Sequence, residues 1–268
     1  MLIQHTSGTD PQANRAQIPP TVHAALDGSG PVDLIVLPEA SQVDFGSGAT
    51  PLGPLAEPLD GPFGQMLSAL AADCGAVVVG GMFEATDGAR PFNTLAAFGP
   101  DGTLLASYRK VHLYDAFGYR ESDRLRAGEP AAVTVVVPVA GSEPITVGLQ
   151  TCYDLRFPEQ SRALVDAGAD LLVIPAAWLR GPGKEHHWCT LLAARAIENT
   201  VHVAAAAKAG ERYCGLSRVV DPMGEVLAGL GDVDGATTGR VDPARTAQVR
   251  RVNASLANRR WHVVPGQR

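Results

Sequence analysis

The sequence predicts an α/β protein of two stacked sheets, or one very wide sheet, with helices on the outside. Three observations predict it. Strand-length apolar runs recur along the whole chain, stretches that space Leu, Ala and Ile at helical intervals separate several of them, and ordinary turn chemistry joins others.

In chain order, residues 11–26 carry a helical pattern, but Pro19-Pro20 fall inside it. A proline pair removes two ladder donors, so this helix is expected to break or kink. Apolar runs at 33–37, 76–82, 94–98 and 104–108 follow as strands, with a helix at 62–73 before the second. The segment GPDGT at 99–103 reads as the turn of a strand pair. Residues 115–129 form a long, charged, aromatic loop, and long loops in compact proteins are usually functional. Strands are then expected at 133–137, 145–150, 171–175, 202–207 and 217–220. The helices between them lie at 158–167, with proline in the first turn, and 185–199. VDPMGEV at 220–226 reads as strand, turn, strand. No segment resembles a linker, a repeat or a low-complexity tract, so residues 1–268 are read as a single domain.

Bulk composition narrows the function. With 268 residues and 46% hydrophobic content the chain has ample material for a core. Net charge is −6, and the 22 Lys and Arg are dispersed, which disfavours nucleic acid and anionic membrane as partners. A small-molecule substrate is the expected partner. No apolar window has membrane-spanning length, and MLIQHTSGTD lacks the basic-then-apolar plan of a signal peptide, so a cytoplasmic location is expected. Cys74, Cys152, Cys189 and Cys214 stand apart with no CxxC pair, which reads as free thiols and as neither a disulfide framework nor a zinc site.

Three strand ends terminate in reactive groups. VDLIVLPEAS delivers Glu39, TLLASYRKVHL delivers Lys110 and ITVGLQTCYD delivers Cys152. Side chains at strand ends emerge from a rigid layer into loops, where sites gather. Together they make a plausible nucleophilic set: a thiol to attack, a carboxylate to take its proton, a cation to stabilise an oxyanion. Taken singly, each has an ordinary alternative. Glu39 also reads as a cap or a solvated carboxylate, Lys110 as a surface amine beside Arg109, and Cys152 as a buried small hydrophobe.

LPEAS, YRKVHLYD and CYDLRFPE, in this order, resemble the three signature segments of the nitrilase superfamily of carbon-nitrogen hydrolases. The similarity extends to GGMFE at 80–84, NTLAAFGPDG at 93–102, RESDRLRAG at 120–128, HWCTLLAARAIENTVHVAAAAKAG at 187–210 and VVDPMGEVLA at 219–228. The resemblance implies a four-layer α-β-β-α sandwich that forms homodimers or higher homo-oligomers through its outer helices, with no cofactor and no metal. One departure from the family is a short first strand in MLIQHTSGTD, which together with Pro19-Pro20 leaves the packing of the amino-terminal edge open.

By the same resemblance, Glu39 is the general base, Cys152 the nucleophile that forms a thioester, and Lys110 with the backbone N–H of Tyr153 the oxyanion donors. Glu121, in RESD, matches a second glutamate that orients Lys110 or the hydrolytic water; as a bare sequence feature it reads equally as a loop carboxylate. Arg156 matches an arginine that grips a substrate carboxylate in related carbamoylases, and also reads as a partner of Glu159 or Asp154. Trp178 falls where relatives line the pocket, with a buried packing role as its alternative. His112 is implied to support its loop, and His186-His187 lack the spacing of metal ligands on one helix face.

YRKVHLYDAFGYRESDRLRAG and GPGKEHHWCTLLAARAIENT are most similar to the branch containing deaminated glutathione amidase and ω-amidase. The activity implied is hydrolysis of a terminal carboxamide on a small carboxylic acid to the acid and ammonia. N-carbamoyl amino acid hydrolysis and aliphatic nitrile hydrolysis are the nearest alternatives, and a non-catalytic binding protein on the same fold is a third. A thiol-disulfide enzyme would want a resolving cysteine close to Cys152, and none is near in sequence.

Overall fold

The computed structural model describes residues 1–264. The first half of the chain contributes β1 (Leu2–Gln4), α1 (Pro11–Ser29), β2 (Leu34–Val36), α2 (Pro62–Cys74), β3 (Val77–Glu84), β4 (Phe92–Phe98) and β5 (Leu104–Arg109). A small hairpin, β6 (Asp115–Ala116) and β7 (Tyr119–Arg120), comes next, before β8 (Thr134–Val137), β9 (Ile145–Leu149), α3 (Pro158–Asp166) and β10 (Leu171–Val173). The chain continues through α4 (Lys184–Asn199), β11 (His202–Ala205), β12 (Arg218–Val220), β13 (Val226–Gly229), β14 (Gly235–Thr237) and α5 (Pro243–Val252).

Two six-stranded sheets result, in the orders β14-β1-β2-β3-β4-β5 and β13-β12-β11-β10-β9-β8. β1, β2 and β3 run parallel, as do β9, β10 and β11, and antiparallel strands flank both trios. The apolar runs of the parallel strands are buried on both faces, so alternate residues serve different layers. Val77 and Val79 face Val147, Leu149, Leu171 and Val173 across the inter-sheet core. Val78 points outward to Ile18 and Val22 of α1 and Leu67 and Leu70 of α2. On the opposite side Leu164 of α3 and Trp188, Leu192 and Ala196 of α4 pack on Leu172 and Val203. The order of layers is therefore α-β-β-α. No helix among the described residues is long and apolar enough to cross a membrane.

The proline pair does not break α1. The helix runs without interruption from Pro11 to Ser29, with the Asp10 carboxylate accepting from Gln12 and Ala13 at its start. Asn14, Ile18 and Val22 form its buried stripe, whereas Ala16 and Pro20 are exposed and Pro19 is half-buried. The carbonyls of Arg15 and Ala16, whose partners the prolines remove, thus lie toward water. Packing of the stripe holds the helix across the gap.

The amino-terminal edge is also resolved. β1 is an interior strand, fully buried, because β14 covers it. The Gln4 side chain fastens that join by donating to the Gly231 carbonyl at 2.9 Å and accepting from the Ser217 N–H at 2.9 Å. The 115–129 stretch, expected as a loop, carries the β6–β7 hairpin and a single 3₁₀ turn, Glu121–Asp123.

Candidate active site

Glu39, Lys110 and Cys152 come together at the floor of one cleft, each delivered by the end of a strand. β2, β3 and β5 point the same way, so the chain leaving β2 brings Glu39 and the chain leaving β5 brings Lys110 to the same rim. The Lys110 ammonium donates to Glu39 Oε1 at 2.9 Å and to Glu121 Oε2 at 2.9 Å and Oε1 at 3.1 Å. All three side chains are at most 2% exposed.

The Glu39 carboxylate is held from three sides. Besides Lys110, Asn93 Nδ2 donates to Oε1 at 2.7 Å and the Ala177 N–H to Oε2 at 2.7 Å. Ala177 follows β10 in the opposite sheet, so this bond joins the two sheets at the site. Asn93 Nδ2 also reaches Glu121 Oε1 at 3.3 Å, and the Tyr114 N–H donates to Glu121 Oε2 at 2.5 Å. Glu121 is thus enclosed between Lys110, Asn93 and the Tyr114 N–H.

Cys152 opens a short 3₁₀ turn, Cys152–Arg156, at the end of β9. Its backbone is left-handed, φ 47°, a conformation that costs an L-residue roughly 1–2 kcal/mol. Its N–H donates to the Pro175 carbonyl at 2.9 Å. Asp154 secures the turn: one carboxylate oxygen accepts from the Thr151 N–H at 2.9 Å and the Tyr108 hydroxyl at 2.7 Å. The other accepts from the His112 N–H at 3.0 Å and lies 2.8 Å from His112 Nδ1. Since Tyr108 and His112 flank Lys110, Asp154 ties the cysteine turn to the lysine segment. The His112 ring stacks on Phe157 at 3.7 Å, consistent with a supporting place.

The charges decide the resting protonation. Burial pushes the Cys152 thiol well above its usual range, and Glu39 adds to this, with Lys110 opposing. The sulfur therefore favours its protonated form. For Lys110, burial alone would depress the amine, but Glu121 and Glu39 outweigh it and hold the group well above the ordinary lysine value. Glu121 is raised by burial, against the pull of Lys110, with Glu39 pushing the same way as burial.

The walls above this floor include the remaining expected residues. Tyr153, Arg156 and Trp178 all line the cleft, which holds about 580 Å³ of space, part of it open to solvent. Trp178 is 4% exposed, packs on Trp188 at 5.3 Å between ring centroids and borders the cleft. Arg156 does not pair with Glu159 or Asp154; its guanidinium lies 4.7 Å from the Trp178 ring and 3.4 Å from His187 Nδ1. Lys184, for which no short motif raises an expectation, also lines the cleft, although GPGK marks a loop entering a helix. Asn93, which opens the segment NTLAAF, joins the site with no motif of its own to announce it. Among the described residues, no cluster of three His, Cys, Asp or Glu side chains is arranged to hold a metal.

The family model for carbon-nitrogen hydrolases matches residues 2–251. The chain belongs to the carbon-nitrogen hydrolase family. This carbon-nitrogen hydrolase is 46% identical over 172 residues to the deaminated glutathione amidase of Escherichia coli O157:H7, an alignment spanning 64% of this chain and 63% of that one. It is 36% identical to Omega-amidase NIT2 of Homo sapiens over 227 residues, 81% of this chain and 79% of the other. Among solved structures, Saccharomyces cerevisiae Nit3, a member of branch 10 of the nitrilase superfamily, superposes with a TM-score of 0.84 at 28% identity, over 97% of this chain and 95% of that one. A mutant of the amidase from Nesterenkonia sp. AN1, showing covalent addition of the acetamide moiety of fluoroacetamide at the active site cysteine, superposes with a TM-score of 0.76 at 27% identity, over 96% and 95% of the chains. The α-β-β-α layering of this hydrolase is thus that of the nitrilase superfamily, and its chemistry is cleavage of carbon-nitrogen bonds.

Proposed function

We propose that this hydrolase is a cysteine-dependent amidase that converts the terminal carboxamide of a small carboxylic acid to the acid and ammonia. The observation that carries the proposal is the convergence of Glu39, Lys110 and Cys152 on one cleft floor beneath Arg156. Glu39 accepts the thiol proton as Cys152 sulfur bonds to the amide carbon. The oxygen of the tetrahedral adduct, now negative, is held by the Lys110 ammonium and the Tyr153 N–H. Collapse of the adduct breaks the C–N bond while Glu39 gives its proton to the nitrogen, and ammonia leaves a thioester behind. Glu39 then takes a proton from water, whose oxygen attacks the thioester; the C–S bond breaks and the sulfur recovers its proton from Glu39.

Burial of the thiol supports this division of labour, because a proton held that firmly on sulfur calls for the adjacent carboxylate. Glu121 and Asn93 act in this scheme by holding Lys110 and Glu39 in place. The family relatives named as amidases support amide chemistry. Arg156 supports an acid-bearing substrate, which a simple aliphatic nitrile does not supply. An N-carbamoyl amino acid also presents a carboxylate, and Arg156 favours it as the second reading. The proposal also carries the expected homo-oligomer, which the mechanism does not use.

The test is ammonia release across a panel of half-amides of dicarboxylic acids, deaminated glutathione, N-carbamoyl amino acids and nitriles. Turnover is expected for the amides. Activity confined to nitriles or carbamoyl compounds would replace this assignment.

A further inference from the structure

Among the described residues, two cations of the cleft wall have no carboxylate at ion-pair distance. Lys110, Lys208 and Arg212 each lie within ion-pair distance of a carboxylate, the last two sharing Asp44. Among the described residues, Arg156 and Lys184 have no such partner, and Arg156 Nε is buried without any hydrogen-bond acceptor. Lys184 Nζ donates to the Tyr114 hydroxyl and lies 4.0 Å from the Phe117 ring centroid and 4.8 Å from that of Tyr114. The Arg156 guanidinium lies 5.7 Å from the same Phe117 ring. Burial, and then the neighbouring Arg156, lower the Lys184 pKa, with Cys152 and Glu185 opposing, so the two cations weigh on each other across the wall.

Phe117 is unusual for a second, independent reason. It sits with Gly118 at the tip of the β6–β7 hairpin, where φ is 54° and 79° at the two positions. Positive φ at both central residues is the pattern of a type I′ turn, which favours Asn-Gly, whereas a bulky side chain at the first position is strained. The ring is also 68% exposed, so it gains little from packing. Neither backbone preference nor burial explains a phenylalanine here. Its place above Arg156 and Lys184 does, because an apolar ring over two cations shields whatever they bind from water.

We propose that Lys184, capped by Phe117, is a specificity-determining residue that joins Arg156 in binding the free carboxylate of a half-amide of a short dicarboxylic acid. The inference rests on the amidase reading above and narrows it. A carboxylate offers lone pairs enough for both the planar guanidinium fork and the ammonium, and placing it between them removes their mutual repulsion. The Tyr114 hydroxyl, which accepts from the ammonium, holds the lysine at the wall.

The deciding experiment compares succinamate with butyramide, its neutral counterpart, in the native protein and in Lys184→Met and Phe117→Asn. The native enzyme is expected to prefer succinamate. Lys184→Met is expected to lower the ratio of kcat/KM for succinamate over butyramide by ~10- to 100-fold, chiefly through KM, the effect of losing a hydrogen bond to a charged group. Phe117→Asn keeps the turn and both charges; it is expected to raise the succinamate KM about threefold or more and to make it more sensitive to salt. An unchanged ratio in Lys184→Met, or a native enzyme indifferent to the carboxylate, overturns the inference and leaves the amidase reading standing. If the native protein hydrolyses neither of these nor any other amide of the panel above, the amidase reading itself falls. Succinate binding measured by titration calorimetry, which needs no turnover, then decides the site: affinity lost in Lys184→Met supports it, and equal or absent affinity in both proteins overturns it.

Discussion

Gly81 of β3 passes so close beneath Glu39 that a β-carbon on it would stand 2.8 Å from the Glu39 α-carbon and 2.7 Å from the Ala40 nitrogen. Both are backbone atoms, so nothing can rotate aside. Gly81→Ala is therefore expected to push the Glu39 turn off its support. A displacement near 1 Å at a reacting group costs ~10²-fold in rate, and kcat should fall by that order, while overpacking removes about 1–3 kcal/mol of stability. Steady-state kinetics with parallel urea unfolding checks this; native kcat in a folded Gly81→Ala protein would show that the Glu39 position is not held from below.

Cys152→Ala should lower turnover by ~10⁴-fold or more, as for other covalent nucleophiles. Stability should change by less than about 1 kcal/mol, since alanine tolerates the left-handed backbone no worse than cysteine does. Intact-protein mass spectrometry of a slowed Glu39→Gln variant with substrate should reveal an acyl adduct. Peptide mapping should place it on Cys152, and an adduct on Cys74, Cys189 or Cys214 would refute the assignment.

Asp154 is fully buried and accepts from Thr151, Tyr108 and His112. Asp154→Asn would set an amide N–H₂ against some of these donors. A loss of about 3 kcal/mol is expected, the scale of an unsatisfied buried polar network. Because the same carboxylate joins the cysteine turn to the lysine segment, kcat should fall more than KM rises.

His5 gives stability a pH dependence. Its pKa is lowered from 6.5 to about 4 by burial, with Lys208 acting in the same direction. Above pH 6.5 the ring is neutral in both states and contributes nothing. As pH falls from 6.5 toward 4, the unfolded chain takes up a proton that the folded one refuses, so this residue makes stability decline; below about 4 the effect is complete. Denaturation midpoints between pH 7.5 and 4.5 should fall more steeply for the native protein than for His5→Gln.

Pro19 and Pro20 leave two carbonyls of α1 without helical partners, so Pro19→Ala and Pro20→Ala should each stabilise by about 1–3 kcal/mol. Unfolding curves of the two variants would show it. Loss of stability in both would mean that the prolines support a bend the packing requires.

The parts of the molecule legible in the sequence share one property: their signal is local. β3, β9 and β11 are apolar runs buried on both faces, and their patterns give their type directly. Glu39 and Cys152 stand just past buried runs, and Lys110 just past the partly exposed β5, so each carries a local signal at a strand end. The rest depends on partners far along the chain. β14 is Gly-Ala-Thr, a strand only because β1 pairs with it. α5 buries only Thr246 and Val249, too narrow a stripe to mark a helix. The uninterrupted α1 reflects packing of Ile18 and Val22 overriding a strong local breaker. Asn93 and the Ala177 N–H enter the site through the register of β4 and the end of β10, which no short motif announces.

The union of β1 with β14 also sets a timetable for synthesis. A ribosome releases β1 long before β14, so the strand that covers its open side emerges only after the intervening strands of both sheets. Until then that flank offers bare amides and carbonyls to any neighbouring chain, so crowding of nascent polypeptides would tax this enzyme more than heat applied after completion.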